Sequence, residues 1–392
     1  MPTTVYRDAA YTDARSATLQ IGYSIHVTDK RIAWMGPTDA EPDPGDARII
    51  DAGGATIVPG MVDAHSHVTM PGGSHWIDRG FDDPAELERV AEENAHLALA
   101  SGVRWFRDVG SPQADVEGAP RALALTMRDR WADDPTPRPY LRAAGTWISK
   151  AGTLPDGLAI DVGDADGLRA AAMHQLDDGA DLLKLYLDGP DPDTAPWTAE
   201  EVAKVVAAAH ARGAKVTAHA TKLAGAAVCA TAGVDAIEHG FELDTDVAAI
   251  MAAKGTFLVA TLAVTSSWQS FGSTTTIERF TDPESRERIA ARRDSGMESV
   301  RLAKAAGVPI AAGTDFGGGS LRANQLAWEI ESLVEAGLEP WEALAAATWR
   351  GGDLLDEPDA GRLRIDGPAD FFLVHGDPLS DPSALWRVWK VA

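Results

Sequence analysis

Between Pro59 and about Arg350 the chain alternates, eight times over, a short apolar run with an amphipathic one. The short runs are strand-like, while the others space their apolar residues three and four apart, as a helix does. The strand-like runs are Val58–Val68, Val103–Val109, Pro139–Ala144, Leu182–Leu187, Lys215–Ala220, Ala236–Glu238, Thr256–Ala263 and Pro309–Thr314. The intervening helices include Pro84–Ser101, Ala119–Trp131, Ala165–Leu176 and Thr198–Arg212, the last opened by a capping box of Thr198 and Glu201. Leu223–Ala232, Thr245–Lys254, Pro283–Ala306, Arg322–Glu335 and Trp341–Thr348 complete the helical set. Parallel strands joined by right-handed crossovers leave few topologies, and eight such units close into a (β/α)8 TIM barrel of roughly 250 residues. The expected fold class is therefore α/β.

The flanks lack helical periodicity. Ala17–Ile25, Arg31–Met35 and Ala47–Ile50 read as short strands separated by turn sequences such as Asp43-Pro44-Gly45-Asp46. They are too few for a core of their own. Gly361–Ile365 and Asp370–His375 at the other end read alike, so both termini are expected to build one small β-sandwich. The expected division is 1–57 and 356–392 for the sandwich and 58–355 for the barrel.

Composition excludes several roles. The net charge of −24 opposes binding to nucleic acid or an anionic membrane. No apolar run reaches the roughly 18 residues of a membrane span, and Met1–Ala10 lacks the pattern of a signal peptide. The single cysteine, Cys229, sits in an Ala-rich helical run and reads as a small core residue. Without a disulfide the chain suits a reducing compartment, and a cytoplasmic location is expected. The expected partner is a small-molecule substrate, and assembly as a homo-oligomer is compatible with the sequence.

In α/β barrels the chemistry lies at the C-terminal ends of the strands. Here those ends carry His65 and His67 (strand 1), His219 (strand 5), His239 (strand 6) and Asp315 (strand 8). His65 and His67, two apart, point to the same side of a strand. Imidazole is the commonest ligand of zinc-class metals. Strand 4 places Lys184 among Leu182, Leu183, Leu185 and Leu187, where an isolated ammonium would be costly. A carbamate formed from that amine and carbon dioxide would instead carry negative charge and two oxygens, enough to bridge two cations.

This pattern resembles the amidohydrolase superfamily, in its binuclear, carboxylated-lysine branch of prolidase-like and imidazolonepropionase-like members. The resemblance rests on Pro59-Gly60-Met61-Val62-Asp63-Ala64-His65-Ser66-His67, Lys184, His219, Glu238-His239-Gly240 and Gly313-Thr314-Asp315. Arg107-Asp108-Val109-Gly110 and the C-terminal return through Ala369-Asp370 and Gly376-Asp377-Pro378-Leu379 add to it. It implies two divalent metal ions, with zinc suited to the His-rich set. His65, His67 and Asp315 would bind one ion and His219 and His239 the other, with Lys184 carboxylated by carbon dioxide as the bridge. Asp315 would be the catalytic base and acid for a metal-bridging hydroxide.

Members that deaminate cyclic amidines carry Glu three residues after the strand-5 histidine. This chain has Lys222, which favours hydrolysis of an amide or peptide-like bond, in the manner of a dipeptidase or N-acyl amino acid amidase. Ring opening of a cyclic amide or imidazolone, or ester or lactone hydrolysis, are the alternatives. The Gly-Gly-His segment of many prolidase-like relatives is replaced by Ser149–Thr153, so the substrate pocket is expected to differ. Expected substrate contacts are His75 and Trp76 after strand 1, Trp147 after strand 3, Tyr186 beyond Lys184, and Arg322 beyond Gly317-Gly318-Gly319. Arg107-Asp108 reads as a buried pair. The Ser/Thr-rich Thr265–Thr281 reads as a lid or a disordered excursion.

Overall fold

A computed structural model describes residues 3–134, 136–191 and 193–392; Met1 and Pro2 of the N-terminal stretch lie outside it. Thr3–Tyr11, passed over by the sequence reading because Asp8 interrupts its alternation with φ 58°, is the hub of the terminal sheet. It pairs antiparallel with Gln20–Thr28 and parallel with Arg48–Asp51 and Thr56–Pro59. Phe371–Val374 runs antiparallel to Thr56–Pro59, and Val388–Val391 pairs with its far edge. The two chain ends thus share a sheet. Their hydrogen bonds trace one branched seven-stranded sheet, and residues 361–365 are turn and coil rather than a strand. Tyr6, Ile25, Ile32, Ile57, Phe371 and Leu373 form its apolar core.

The alternating region supplies eight central strands: β1 (Met61–Ser66), β2 (Val103–Asp108), β3 (Tyr140–Ala143), β4 (Leu182–Tyr186), β5 (Lys215–Ala220), β6 (Ala236–His239), β7 (Phe257–Val259) and β8 (Ile310–Ala311). β1, β2 and β3 form one parallel ladder, and β4 to β8 another. The sheets meet where Ala64 N–H donates to Ala312 O (2.9 Å) and Asp315 N–H to His65 O (2.8 Å), and again where Asp181 N–H donates to Ala143 O (2.9 Å). The result is a TIM-barrel-like α/β fold whose ladder is carried by two sheets rather than one unbroken ring.

Alternation along a strand decides what faces where. Leu183 and Leu185 join the core cluster that includes Val202, Val205 and Val206 of helix Ala199–His210. Lys184, between them, is therefore turned the other way. Cys229 is buried within helix Leu223–Ala232, as its setting implied.

Two segments depart from expectation. The expected helix Ala119–Trp131 starts only at Leu123, because Gln113–Val116 and Ala119–Ala122 form a hairpin. Most of the Ser/Thr-rich segment after β7 is helical, in Leu262–Phe271 and the short Glu278–Thr281. Burial of Leu262, Ala263, Val264, Thr265 and Ser267 overrides the weak helix propensity of the Val, Thr and Ser among them. No helix of the described residues is long and apolar enough to cross a membrane.

Candidate metal centre and active site

His65 is the penultimate residue of β1, and His67 directly follows its last residue, Ser66; their rings lie 5.3 Å apart. The His65 ring is 4.8 Å from that of His239, and His239 is 4.5 Å from His219. Asp315 completes the group, with Oδ1 at 3.4 Å from His65 Nε2 and 3.2 Å from His67 Nε2. Ligand atoms of His65, His239 and Asp315 all lie within 4.8 Å of one another. The four histidines, Lys184 and Asp315 face one cavity of about 390 Å³.

Each of three imidazoles is held from behind. His65 Nδ1 donates to Glu238 Oε2 (2.6 Å) and His67 Nδ1 to Gly110 O (2.7 Å), while His239 Nδ1 is hydrogen-bonded to Thr261 Oγ1 (2.8 Å). The carboxylate and the carbonyl fix the tautomers of His65 and His67, and all three partners leave the far nitrogen for a cation. His219 is held the other way round: Nε2 donates to Asp188 Oδ2 at 3.1 Å, leaving Nδ1. The nitrogens left over could thus take a metal ion, which is the sense in which the residues fit a metal centre.

The supports are themselves tied down. Glu238 accepts from Arg107 Nη1 (2.8 Å) and from Thr217 Oγ1 as well as from His65. Burial alone would raise its carboxyl, but the Arg107 charge and His65 hold it well below the usual range. Asp108, pushed up to about 6 by burial, accepts from Val68 N–H and Gly110 N–H and so fixes the loop that holds His67. Asp63, pushed up to about 7 by burial, joins β1 to β8 by accepting from Thr314 Oγ1 (2.6 Å) and N–H (3.0 Å). Arg107 and Asp108 are both buried, but Arg107 pairs with Glu238, not with its sequence neighbour.

Backbone strain gathers here. His239 (φ 69°), Thr261 (φ 50°) and Asp315 (φ 57°) occupy the left-handed region that side chains avoid. The Gly317-Gly318-Gly319 turn is a close-packed wall: a Cβ on Gly318 would sit 2.1 Å from His67 Cδ2, and one on Gly319 3.1 Å from Asp315 Oδ2.

Electrostatics suit ligation. Burial, with His219 and His65 nearby, holds His239 well below the ordinary imidazole value. Burial also lowers His219, opposed by Asp188. Burial would raise Asp315, but His65 and His67 hold it well below the carboxylate range. Lys184 is 2% exposed and has no hydrogen-bond or ion-pair partner among the described residues. Burial lowers its amine to about 8, against the pull of Glu238 and Asp315.

Residues 56–391 match the amidohydrolase family. The chain belongs to that family. It is an enzyme, a hydrolase acting on carbon–nitrogen bonds. This amidohydrolase is 31% identical over 358 residues to an uncharacterized protein of Mycobacterium tuberculosis, spanning 90% of this chain and 88% of that one. It is 28% identical over 385 residues to an imidazolonepropionase of Anaeromyxobacter dehalogenans, with 90% and 84% covered. Among solved structures, a Xaa-Pro dipeptidase with methionine in its active site superposes with TM-score 0.83 at 25% identity, over 99% of this chain and 98% of the other.

Three of the expected substrate contacts, Trp76, Trp147 and Tyr186, line the cavity of this hydrolase. His75 does not: its side chain is 62% exposed beside Asp78, because the short helix Trp76–Arg79 turns Trp76 inward and leaves His75 outside. Arg322 does not either: its guanidinium donates to Pro71 O and braces the loop after β1. After β3, Ser149 bonds Asp161, and Leu154, Pro155 and Leu158 supply the wall. Sequence reasoning missed Asp188, Thr221 and Arg292 on the lining. Asp188 lies two residues beyond Tyr186, which was a usable signal; Arg292 lies mid-helix among other charges, which was not. A larger cleft of about 910 Å³ between the terminal sheet and β2 and β3 contains none of the converging histidines. Chemistry, not volume, identifies the site.

Proposed function

We propose that this amidohydrolase cleaves an amide or peptide-like bond of a small molecule, as a dipeptidase or N-acyl amino acid amidase does. The observation that carries the reading is the orientation of His65, His67 and His239, whose Nδ1 atoms are engaged from behind so that their Nε2 atoms are left for cations beside Asp315. In this reading His65, His67 and Asp315 would hold one divalent ion and His219 and His239 a second, with carboxylated Lys184 a ligand available to both. Lowering the amine to about 8 enlarges the minor neutral fraction present near physiological pH, the form that attacks carbon dioxide. Zinc suits the imidazole-rich set.

When bound, the ions supply Lewis acidity towards a carbonyl and an acidified water. The protein's own residues do the rest. Asp315 orients the attacking water, takes its proton on a carboxylate oxygen and passes it to the departing amine. Glu238, Gly110 and Thr261 keep the imidazoles in register. Trp76, Trp147 and Trp268 exclude bulk water from the reacting carbonyl.

The test is a screen of the zinc-loaded protein against a dipeptide, an N-acyl amino acid and a cyclic amide. Hydrolysis of the first or second, abolished by chelation, is expected. Failure on all three with metals bound would refute the amide assignment. Lys184→Ala, followed by metal analysis, is expected to hold fewer than two ions per chain. Two ions with normal turnover would remove the bridge.

A further inference from the structure

We infer that Arg292 reads a carboxylate on the substrate, and that this amidohydrolase acts on small amides carrying an anionic group beyond the scissile bond. The inference rests on the hydrolase reading above and assigns a specificity-determining residue to the same site.

Arg292 lies on the long helix Pro283–Ala306, which packs against Leu262–Phe271 and reaches the cavity through residue 292. Apart from Lys184, buried at the centre, it is the lysine or arginine that lines the cavity among the described residues. Four of the five other cations on this helix are committed elsewhere, and the fifth, Arg286, does not line the cavity. Arg288 pairs with Glu284 (2.8 Å), Arg293 with Glu335, Arg301 with Glu298 (2.8 Å) and Lys304 with Glu342 (2.6 Å). Among the described residues Arg292 has no hydrogen-bond or ion-pair partner, and its guanidinium lies 5.9 Å from the Trp268 ring.

The company it keeps defines the ligand. Trp268 stacks on Trp76 with ring centres 5.8 Å apart, and Trp147, Phe241 and Leu158 continue the apolar wall. In a protein of net charge −24, an unpaired guanidinium at such a wall is a local reversal of sign. Arginine's planar fork matches a carboxylate. The site thus offers metal-binding groups for a carbonyl, an aromatic wall for an apolar body, and a guanidinium for an anionic end.

The matched probes are N-benzoylglycine and its uncharged counterpart N-benzoylglycinamide, which share the aromatic body and the inner amide. They are compared on the zinc-loaded wild type, Arg292→Gln and Arg292→Lys. Initial rates are read where the inner amide is hydrolysed. Quenching of the cavity tryptophans gives Kd where it is not. Wild type is expected to prefer the carboxylate about tenfold or more, the range of a charge-assisted contact. In Arg292→Gln the preference should fall towards unity, chiefly in KM or Kd; Arg292→Lys should restore part of it. Equal treatment of the two probes by wild type, or a preference that survives in Arg292→Gln, would overturn the assignment. Binding without hydrolysis of either probe would count against the amidase reading while the ratio still decides the role of Arg292.

Discussion

Glu238 is where stability and metal binding are joined, and Glu238→Gln separates them. The carboxylate accepts from His65, Arg107 and Thr217 with no exposure to solvent. An amide of the same shape keeps part of that pattern but removes the charge opposing the buried guanidinium. Leaving one member of a buried ion pair alone costs about 3–5 kcal/mol. Arg107 Nη1 retains Ala64 O at 2.8 Å, so the loss should fall near the lower figure. His65 also loses its charged outer partner, a change that lowers metal affinity about 10- to 100-fold in comparable centres. Denaturant unfolding of the chelated protein reads the first effect; zinc competition against a chelator of known affinity reads the second. Adding Arg107→Met removes the stranded cation, so the double variant should regain at least half of the lost stability while its zinc affinity stays low. A single variant costing under about 1 kcal/mol, or a double variant no more stable than the single, would refute the ion-pair account. Unchanged zinc affinity in both would refute the role assigned to Glu238 behind His65.

Asp188→Asn should weaken the zinc held through His219 by about 10- to 100-fold in the same competition assay, since the amide no longer fixes the Nε2–H tautomer as a carboxylate does. Gly318→Ala should yield a folded protein of reduced metal content, because the added methyl meets the His67 ring at 2.1 Å; full metal occupancy would show that the turn yields freely. Glu329, pushed up to about 8 by burial from an ordinary 4.5, binds its proton more tightly in the native state than in the unfolded chain. Wild type should therefore lose stability relative to Glu329→Gln as pH rises from about 4.5 to 8, by at most about 5 kcal/mol; a flat difference across that window in denaturant titrations would contradict it.

The side chains that converge on the cavity were legible because strand periodicity places chemistry without knowledge of tertiary detail. His65, Lys184, His219, His239 and Asp315 each follow or occupy an apolar run, and the fold brings such positions to one rim. Arg107 and Asp108 announced burial, but the partner of Arg107 sits on β6, 131 residues away, and no local pattern names it. Thr265–Thr281 misled because its composition describes a loop, while the neighbouring helix Pro283–Ala306 provides the surface that makes it helical. Thr3–Tyr11 was missed for the opposite reason: its β-bulge disrupts the alternation by which strands are recognised.

The seam that joins β1 to β8 ties Asp63 to Thr314, 251 residues apart in the chain. Half of the cation cradle therefore emerges from the ribosome long before its complement exists. A nascent chain ending before Thr314 would display the paired imidazoles yet lack the acid that completes the grip. On the proposed ligand assignment, metal capture should accordingly be among the last events of maturation, and stoichiometric uptake would serve as a reporter that the circuit of strands has been completed.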